Sequence, residues 1–405
     1  MKEGWEIKKL GEVCEVQRGL TYSGKDAVDF SDNIVLRATN INLENSCLDF
    51  SELKYLRNDF TIQGKYKLKN GSLLICFSSG SKSHLGKVAL IDNSYDYAFG
   101  GFIGQINPNK EIVSGYLFYS MISENYKTYI SELTDGVNIN NLKIKDLQEY
   151  KIPLPPLPEQ KRIVSILDRV FSAIERSRNN AEQNLKNAKE LFESYLQGVF
   201  DPSTRSGQGG DDWVEKSLGE VANVTYGFTE KSNNEGDFRY VRITDIDKNG
   251  ELIQTGKKYI KASKDGNDFI LKDNDIVMAR TGATFAKLLL YKDIEPSIYA
   301  SYLIKIDFIE DIDNEFYWFF SKTNSYWEQA NTLSTGAAQP HFNGQALKQV
   351  VFPYPKSLNN QKKLIKEFRR LQTETEKLET VYQQKLDDLE VLKKSVLQKA
   401  FNGEL

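Results

Sequence analysis

The chain of 405 residues contains its own copy, and that duplication limits the folds open to it. WEIKKLGEVCEVQRGLT from Trp5 and WVEKSLGEVANVTYGFT from Trp213 share Trp, Leu-Gly-Glu-Val, Val, Gly and Thr at an offset of 208. VLRATNIN from Val35 matches YVRITDID from Tyr240 at 205, and LKNGSLLI from Leu68 matches LKDNDIVM from Leu271 at 203. LTDG from Leu133 and LSTG from Leu333, then Leu147 and Leu347, then Pro153/Pro155 and Pro353/Pro355, align at 200. The order is kept and the offset drifts only by small loop deletions, which is the signature of a repeated structural unit.

Both copies then pass from a proline cluster into a long apolar periodicity at an offset of 201: IPLPPLPEQKRIV from Ile152 and FPYPKSLNNQKKLI from Phe352. Proline disfavours helix in the residue before it and donates no ladder hydrogen bond, so each cluster is expected to end a globular part. Beyond each cluster the apolar residues step in threes and fours, a heptad seam. The seam residues expected to pair the two helices are Ile163, Leu167, Val170, Ile174 and Leu185 in the first, and Leu364, Phe368, Leu371, Leu378, Leu386 and Leu389 in the second. Both seams take two successive steps of four, at Ser177–Ala181–Leu185 and Leu378–Tyr382–Leu386, a shared stutter. A narrow stripe on a helix of roughly 55–60 Å calls for another long helix as partner.

The predicted layout is α+β: a globular domain over 1–155, a long helix over 156–200, a linker over 201–212, a second domain over 213–356 and a second helix over 357–405. The linker, DPSTRSGQGGDD, has no apolar residue. Strands are expected at 34–36, 73–77, 87–91, 276–278 and 287–291, with helical stretches near 116–129 and 315–329.

Catalytic equipment is missing from the sequence. The two histidines, His84 and His341, fall in different repeats. Cys14, Cys47 and Cys76 lack zinc spacing. GSKSHLGKV from Gly80 resembles a P-loop, but carries Val88 where a magnesium-binding hydroxyl belongs. Neither a dinucleotide turn nor an S-adenosylmethionine motif is recognisable, so no cofactor is expected in this chain. The polar start and the lack of a bilayer-length apolar run point to a cytoplasmic protein without a membrane partner. A net charge of −3 argues against coating nucleic acid by charge alone.

A duplicated unit on a rigid spacer suits a target with two half-sites, as double-stranded DNA offers. Two pairs of polar loops carry residues able to contact bases and phosphates. In the first repeat these are Ser79, Lys82, His84 and Lys87, with Asn138, Asn140, Asn141 and Lys143. In the second they are Arg280, Thr281, Thr284 and Lys287, with Gln339, His341 and Asn343. Arg pairs with guanine and Asn or Gln with adenine through paired hydrogen bonds, and Lys and Ser grip phosphate. The frameworks agree while the loops differ, which predicts an asymmetric, bipartite target.

The Trp-x-x-x-x-Leu-Gly-Glu-Val openings, the PLPPLPEQKRIV boundary, the long helix after it and the closing LQKAFNGEL together resemble the specificity subunit of type I restriction–modification systems, over nearly the whole chain. The resemblance implies two target recognition domains, helices pairing as an antiparallel coiled coil, docking of two methyltransferase subunits, and restriction subunits joining for cleavage. It places S-adenosylmethionine in the methyltransferase partner. The second boundary departs from the pattern, since PYPKSLNNQKKLI keeps Gln361 without the Leu-Pro-Glu before it. Two other readings fit the layout: a coiled-coil scaffold whose domains bind protein or glycan, and the specificity component of another restriction architecture. The scaffold has no need of loops that vary at matched positions.

Overall fold

A computed structural model describes residues 3–134, 141–201, 203, 212–262, 264–335 and 341–405. The chain forms two compact units. One holds residues 1–181 and 384–405, the other 182–383. The linear order of domains is therefore interleaved, because each long helix gives one segment to each unit.

The first unit runs β1 (Glu6–Lys9), α1 (Leu10–Val13), β2 (Cys14–Arg18), β3 (Ala27–Val28), β4 (Asn33–Leu36), β5 (Lys54–Leu56), β6 (Leu73–Cys76), β7 (Val88–Leu90), β8 (Ala98–Phe99), β9 (Ile103–Pro108), α2 (Ser114–Met121), α3 (Glu124–Thr134), α4 (Ile144–Gln148) and β10 (Lys151–Leu154), then enters α5 (Leu157–Phe200). Its strands make an antiparallel sheet β2-β9-β6-β7, a sheet β3-β5-β4-β8 in which β4 and β8 are parallel, and a ribbon of β1 with β10.

The second unit repeats this plan: β11 (Trp213–Ser217), α6 (Leu218–Val221), β12 (Ala222–Tyr226), β13 (Phe238–Val241), β14 (Tyr259–Ile260), β15 (Ile276–Ala279), β16 (Leu288–Leu290), β17 (Ser297–Tyr299), β18 (Leu303–Phe308), α7 (Asn314–Phe320), α8 (Asn324–Leu333), α9 (Gly344–Lys348), β19 (Val351–Pro355) and α10 (Leu358–Asn402). Its sheets are β12-β18-β15-β16, β14-β13-β17 and the ribbon β11-β19.

The central strands explain two apolar runs. LLIC in β6 and IVMA in β15 are buried at every position. Leu73 and Ile75 face the helices while Leu74 and Cys76 face the second sheet; Ile276 and Met278 divide from Val277 and Ala279 in the same way. A strand covered on both faces reads as continuous apolar sequence rather than alternation.

The Leu-Gly-Glu-Val motif is a one-turn helix locked to the end of its unit. Leu10 and Val13 are fully buried, as are Leu218 and Val221. Glu12 accepts the Lys9 backbone N–H at 2.6 Å, and Glu220 accepts both the backbone N–H and hydroxyl of Ser217. The N–H of Leu10 donates to the Tyr150 carbonyl and that of Leu218 to Val350, each at 2.8 Å. A side chain at Gly219 would press on Lys348 at 3.1 Å, so the glycine keeps this contact close.

The proline clusters lie where each closing strand gives way to its long helix, with Pro155 and Pro156 between β10 and α5. Within the strands Pro153 is opposite Ile7, Pro353 opposite Glu215 and Pro355 opposite Trp213. Each sits in a two-stranded ribbon, where proline's missing N–H can face away from the single partner strand. The glutamine after each cluster completes the junction. Gln160, fully buried, accepts the Val113 N–H and donates to the Glu111 and Pro155 carbonyls. Gln361 accepts the Asp313 N–H and donates to the Asp311 and Pro355 carbonyls. One side chain thus ties the strand end, the helix start and the loop before α2 or α7 in each repeat.

The expected helical stretches near 116–129 and 315–329 are each two helices. Ser123 and Thr323 break them at equivalent places, turning their hydroxyls onto the Ser120 and Phe320 carbonyls. Each hydroxyl also accepts an N–H of the following helix, from Tyr126 and Tyr326.

Segments of the long helices pack in opposite directions inside each unit. In the first, Ile163 and Leu167 share a core with Leu397, Ala400 and Phe401. Arg162 donates to the Leu405 carbonyl, Lys393 lies 5.4 Å over the Phe171 ring, and Arg178 meets Glu390 at 3.7 Å, so α10 numbers fall as α5 numbers rise. In the second, Leu196, Val199 and Phe200 pack with Phe368. The seam residues divide by depth. Ile163, Leu167, Ile174 and Phe368 are buried, whereas Val170, Leu185, Leu364, Leu371, Leu386 and Leu389 are half-buried. Leu378 departs from expectation, at 40% exposed. Thr375 takes the buried place one turn earlier, its hydroxyl satisfied by the Leu371 and Gln372 carbonyls. Two consecutive steps of four carry the seam around the helix here, and Leu378 is left off the covered face.

Candidate nucleic-acid interface

In each unit the loops leaving the four-stranded sheet meet the loop that enters the short helix α4 or α9. The meeting point is a backbone bridge, Ser78 with Asn141 in the first unit and Thr281 with His341 in the second. Around it the two units make one contact with its partners exchanged. Arg18, at the end of β2, sits 4.8 Å over the ring of Phe77, just after β6. In the second unit the position matching Arg18 is Tyr226 and the position matching Phe77 is Arg280, whose guanidinium lies 5.6 Å from the Tyr226 ring centre. Cation and ring have changed places, and the attraction between them survives. Arg18 also donates to the Asn141 side chain at 3.1 Å and to the Leu142 carbonyl at 3.0 Å. Arg280 instead reaches a second ring, Tyr302, at 5.0 Å.

A further ring marks both units. Phe102, whose carbonyl accepts the N–H groups of Phe77 and Ser78, is 71% exposed. Tyr302, its counterpart, accepts the Arg280 N–H and is 51% exposed. Exposed rings beside guanidinium groups and polar loops can stack on bases and pair with acceptors. In the first unit Phe102 borders a cavity of about 650 Å³ walled by residues 20–22, 37–39, 78–80 and 100–102. Burial raises the Tyr22 phenol's pKa, with Arg37 beside it acting in the opposite direction.

The sequence-predicted residues separate into those at this surface and those used within the fold. Ser79 lines the cavity and accepts the Ser81 N–H. Asn141 and Arg280 lie at the bridge, and His341 is exposed there. Lys143 is exposed at the start of α4. Lys82 is exposed but reaches back to the Thr134 carbonyl at 3.3 Å, and His84 is half-buried in a short turn. Lys87 points inward, its ammonium 2.6 Å from the Ile41 carbonyl, and burial lowers its pKa. Thr281 is 4% exposed, and the Thr284 hydroxyl donates to the Ile243 carbonyl at 3.0 Å. Lys287 lines a different cavity of its unit, near Trp318 and Lys322. Asn343 caps α9, its oxygen accepting the Gln345 and Ala346 N–H groups at 3.0 and 2.9 Å. Asn138, Asn140 and Gln339 lie outside the described residues.

The sequence reading passed over Arg18, Arg37, Phe102, Tyr226 and Tyr302. Aligning the repeats would have put Phe102 on Tyr302 and Arg18 on Tyr226. Polarity alone does not mark rings. Among the described residues no group of acidic, histidine or cysteine side chains could hold a metal ion, and no helix is long and apolar enough to cross a membrane.

Comparison with known proteins agrees with the duplication. Residues 2–183 and 210–387 match the type I restriction modification DNA specificity domain, covering most of the chain. The chain is 26% identical over 420 residues to the StySPI specificity subunit of Salmonella potsdam, covering 100% of this chain and 90% of that protein. It is 27% identical over 429 residues to the EcoKI specificity subunit of Escherichia coli K12, again covering 100% of this chain and 90% of that protein. Two solved structures share the fold. A chain from a type I R-M system studied for complex assembly and conformational transition superposes with a TM-score of 0.77 at 17% identity, covering 100% of this chain and 99% of that one. The HsdS subunit of Thermoanaerobacter tengcongensis gives 0.66 at 18% identity, covering 100% of this chain and 98% of that one. Both relatives are specificity subunits of type I restriction enzymes. On the match of its two halves, the chain belongs to the type I restriction–modification specificity family.

Proposed function

We propose that the chain is the target-reading subunit of a type I restriction–modification complex, that its two units read the two different halves of one asymmetric DNA target, and that it docks two methyltransferase subunits and the restriction subunits. The observation that carries this reading is the exchange of Arg18–Phe77 for Arg280–Tyr226 at matched positions of one fold. The scaffold is shared by the two repeats and the residues beside the bridge are not. Two copies of one site serve one repeated ligand; two copies altered at the contact serve two. Guanidinium groups give paired donors for guanine, and the rings beside them restrict where a base edge can enter.

Partner docking is supported by the helices. Val391 and Leu392 are adjacent and exposed on α10, and Leu191 and Val381 are exposed on α5 and α10, apolar side chains open to a partner. S-adenosylmethionine belongs, on this reading, to the methyltransferase subunit. Partners also supply the clamp on phosphate that a chain of net charge −3 lacks.

Light scattering of the chain mixed with the methyltransferase subunit of its own operon tests the assembly. Two methyltransferase copies per chain are expected, one for each repeat. A stable complex with a single copy would contradict two equivalent docking sites.

A further inference from the structure

The two units treat one equivalent arginine in opposite ways. Arg242 follows β13 and is held by its own neighbour. The Asp245 carboxylate takes its backbone N–H at 2.9 Å, its Nε at 3.1 Å and an Nη at 2.7 Å. All the side-on donors of that guanidinium edge are occupied, and Arg242 is a fixed part of the fold.

Arg37 follows β4 at the matching position, but Asn40 stands where Asp245 would be. The Asn40 amide oxygen accepts the Arg37 backbone N–H at 2.8 Å, but it carries no charge to hold the guanidinium as the Asp245 carboxylate does. Its amide nitrogen donates to the Asp49 and Glu52 carbonyls, both at 2.8 Å, so the side chain is spent on holding the next loop. The guanidinium is left over. Its Nε is buried with no hydrogen-bond partner among the described residues. The nearest carboxylate, the exposed Glu52, is 4.0 Å from an Nη atom. A buried donor without an acceptor is unfavourable in the free protein and becomes favourable once an acceptor arrives.

Arg37 also walls the cavity of about 650 Å³ bordered by the exposed Phe102 and by Ser79. A cavity walled by a guanidinium that has only a distant carboxylate, by a ring and by hydroxyls matches a ligand that offers two adjacent acceptors and a flat face. In the second unit Asp245 closes this option, and the position matching Tyr22 is the exposed Glu230.

We infer that Arg37 is a specificity-determining contact of the first unit, taking two hydrogen-bond acceptors of DNA with its guanidinium, with no counterpart at the matching position of the second unit. The inference rests on the DNA-reading function proposed above. The acceptors are O6 and N7 of a guanine or two oxygens of a phosphate; both suit a guanidinium edge.

The test is the assembled complex with its methyltransferase subunit, assayed for methylation of DNA duplexes in which each target base pair is varied. If Arg37 reads guanine, Arg37→Ala and Arg37→Lys both lose discrimination at one base pair of one half-site, by roughly 10- to 100-fold, and leave the other half unchanged. If it grips phosphate, Arg37→Ala weakens all sequences alike and reduces the salt slope by about one, and Arg37→Lys restores both. Arg37→Met keeps the buried stem and carries the same readout should the alanine variant fail to assemble. An assembled Arg37→Ala or Arg37→Met complex with wild-type discrimination at every base pair and a wild-type salt slope overturns the inference, and DNA reading by the chain stands. Absence of methylation dependent on the wild-type chain removes both.

Discussion

The buried glutamine at each junction makes a demanding prediction, because one side chain holds three backbone groups. Gln361 is fully buried, and its partners are the Asp313 N–H at 2.8 Å, the Asp311 carbonyl at 3.0 Å and the Pro355 carbonyl at 2.8 Å. Gln361→Leu fills similar volume and strands all three. At about 1–3 kcal/mol for each unsatisfied group, with some relaxation, the loss is roughly 3–6 kcal/mol. That is a large part of the ~5–15 kcal/mol that holds a typical domain. Three of the four tryptophans, Trp213, Trp318 and Trp327, belong to the second unit, so their fluorescence follows its unfolding in the full chain. With an m-value of ~2 kcal/mol/M, a loss of ~4 kcal/mol lowers the urea midpoint by ~2 M. Gln361→Glu sharpens the argument. A carboxylate still accepts the Asp313 N–H but faces two carbonyls it cannot donate to, so its folded pKa rises above the unfolded value of about 4.3. The native state then holds the extra proton over a wider range, and the variant loses stability as pH rises from about 4 through the folded pKa. A Gln361→Leu midpoint within 0.5 M, given as a rough margin, of wild type would refute the clamp. So would a Gln361→Glu protein whose stability relative to wild type is flat across that pH range.

Other consequences are more local. Arg280→Ala removes the cation between Tyr226 and Tyr302 and is expected to relax one half-site only, by roughly 1–3 kcal/mol in methylation rates on varied duplexes; equal rates on every variant would remove it from the site. Gly227→Ala would put a methyl 2.3 Å from the Ala300 carbonyl oxygen, so loss of the second unit's cooperative unfolding is expected, by more than ~4 kcal/mol. Gly86 has φ +72°, where a side chain would also meet Ile130 at 2.9 Å, and Gly86→Ala should destabilise the first unit by at least ~1–2 kcal/mol in thermal unfolding. Lys322 packs its ammonium 3.8 Å over Trp318, and burial pulls its pKa down to about 8. The unfolded chain binds that proton up to about pH 10.4, so relative to Lys322→Met the wild type gains stability between about pH 8 and 10.4 and keeps none of the gain below it.

The sequence carried the architecture because a duplication displays every framework position twice. Trp5 with Trp213, Leu10 with Leu218 and Gln160 with Gln361 stand at matched places for one physical reason each: packing on the core, a one-turn helix, a three-way clamp. Strand ends came within a residue or two where apolar runs such as LLIC and IVMA are covered on both faces. The helix breaks at Ser123 and Thr323 were hidden because a hydroxyl cap inside an apolar stretch does not interrupt the periodicity. Leu378 was misplaced because a stutter shows in the spacing while the direction it turns depends on the partner helix. The site was harder to read. Polarity marks loops, and it does not separate Asn343, which caps a helix, or Lys87, which is anchored to a carbonyl, from a residue turned outward. Arg37 and Arg242 are identical in sequence and in framework position. Only the neighbour three residues on, Asn40 or Asp245, decides which guanidinium is occupied.

Base-resolution mapping of methyladenine tests the central claim most directly. Cells would express the methyltransferase subunit with this chain, and in parallel without it. The account predicts a two-part asymmetric motif, methylated in both halves and present only when the chain is present. Methylation that is unchanged by the chain, or a motif made of two identical halves, would contradict it.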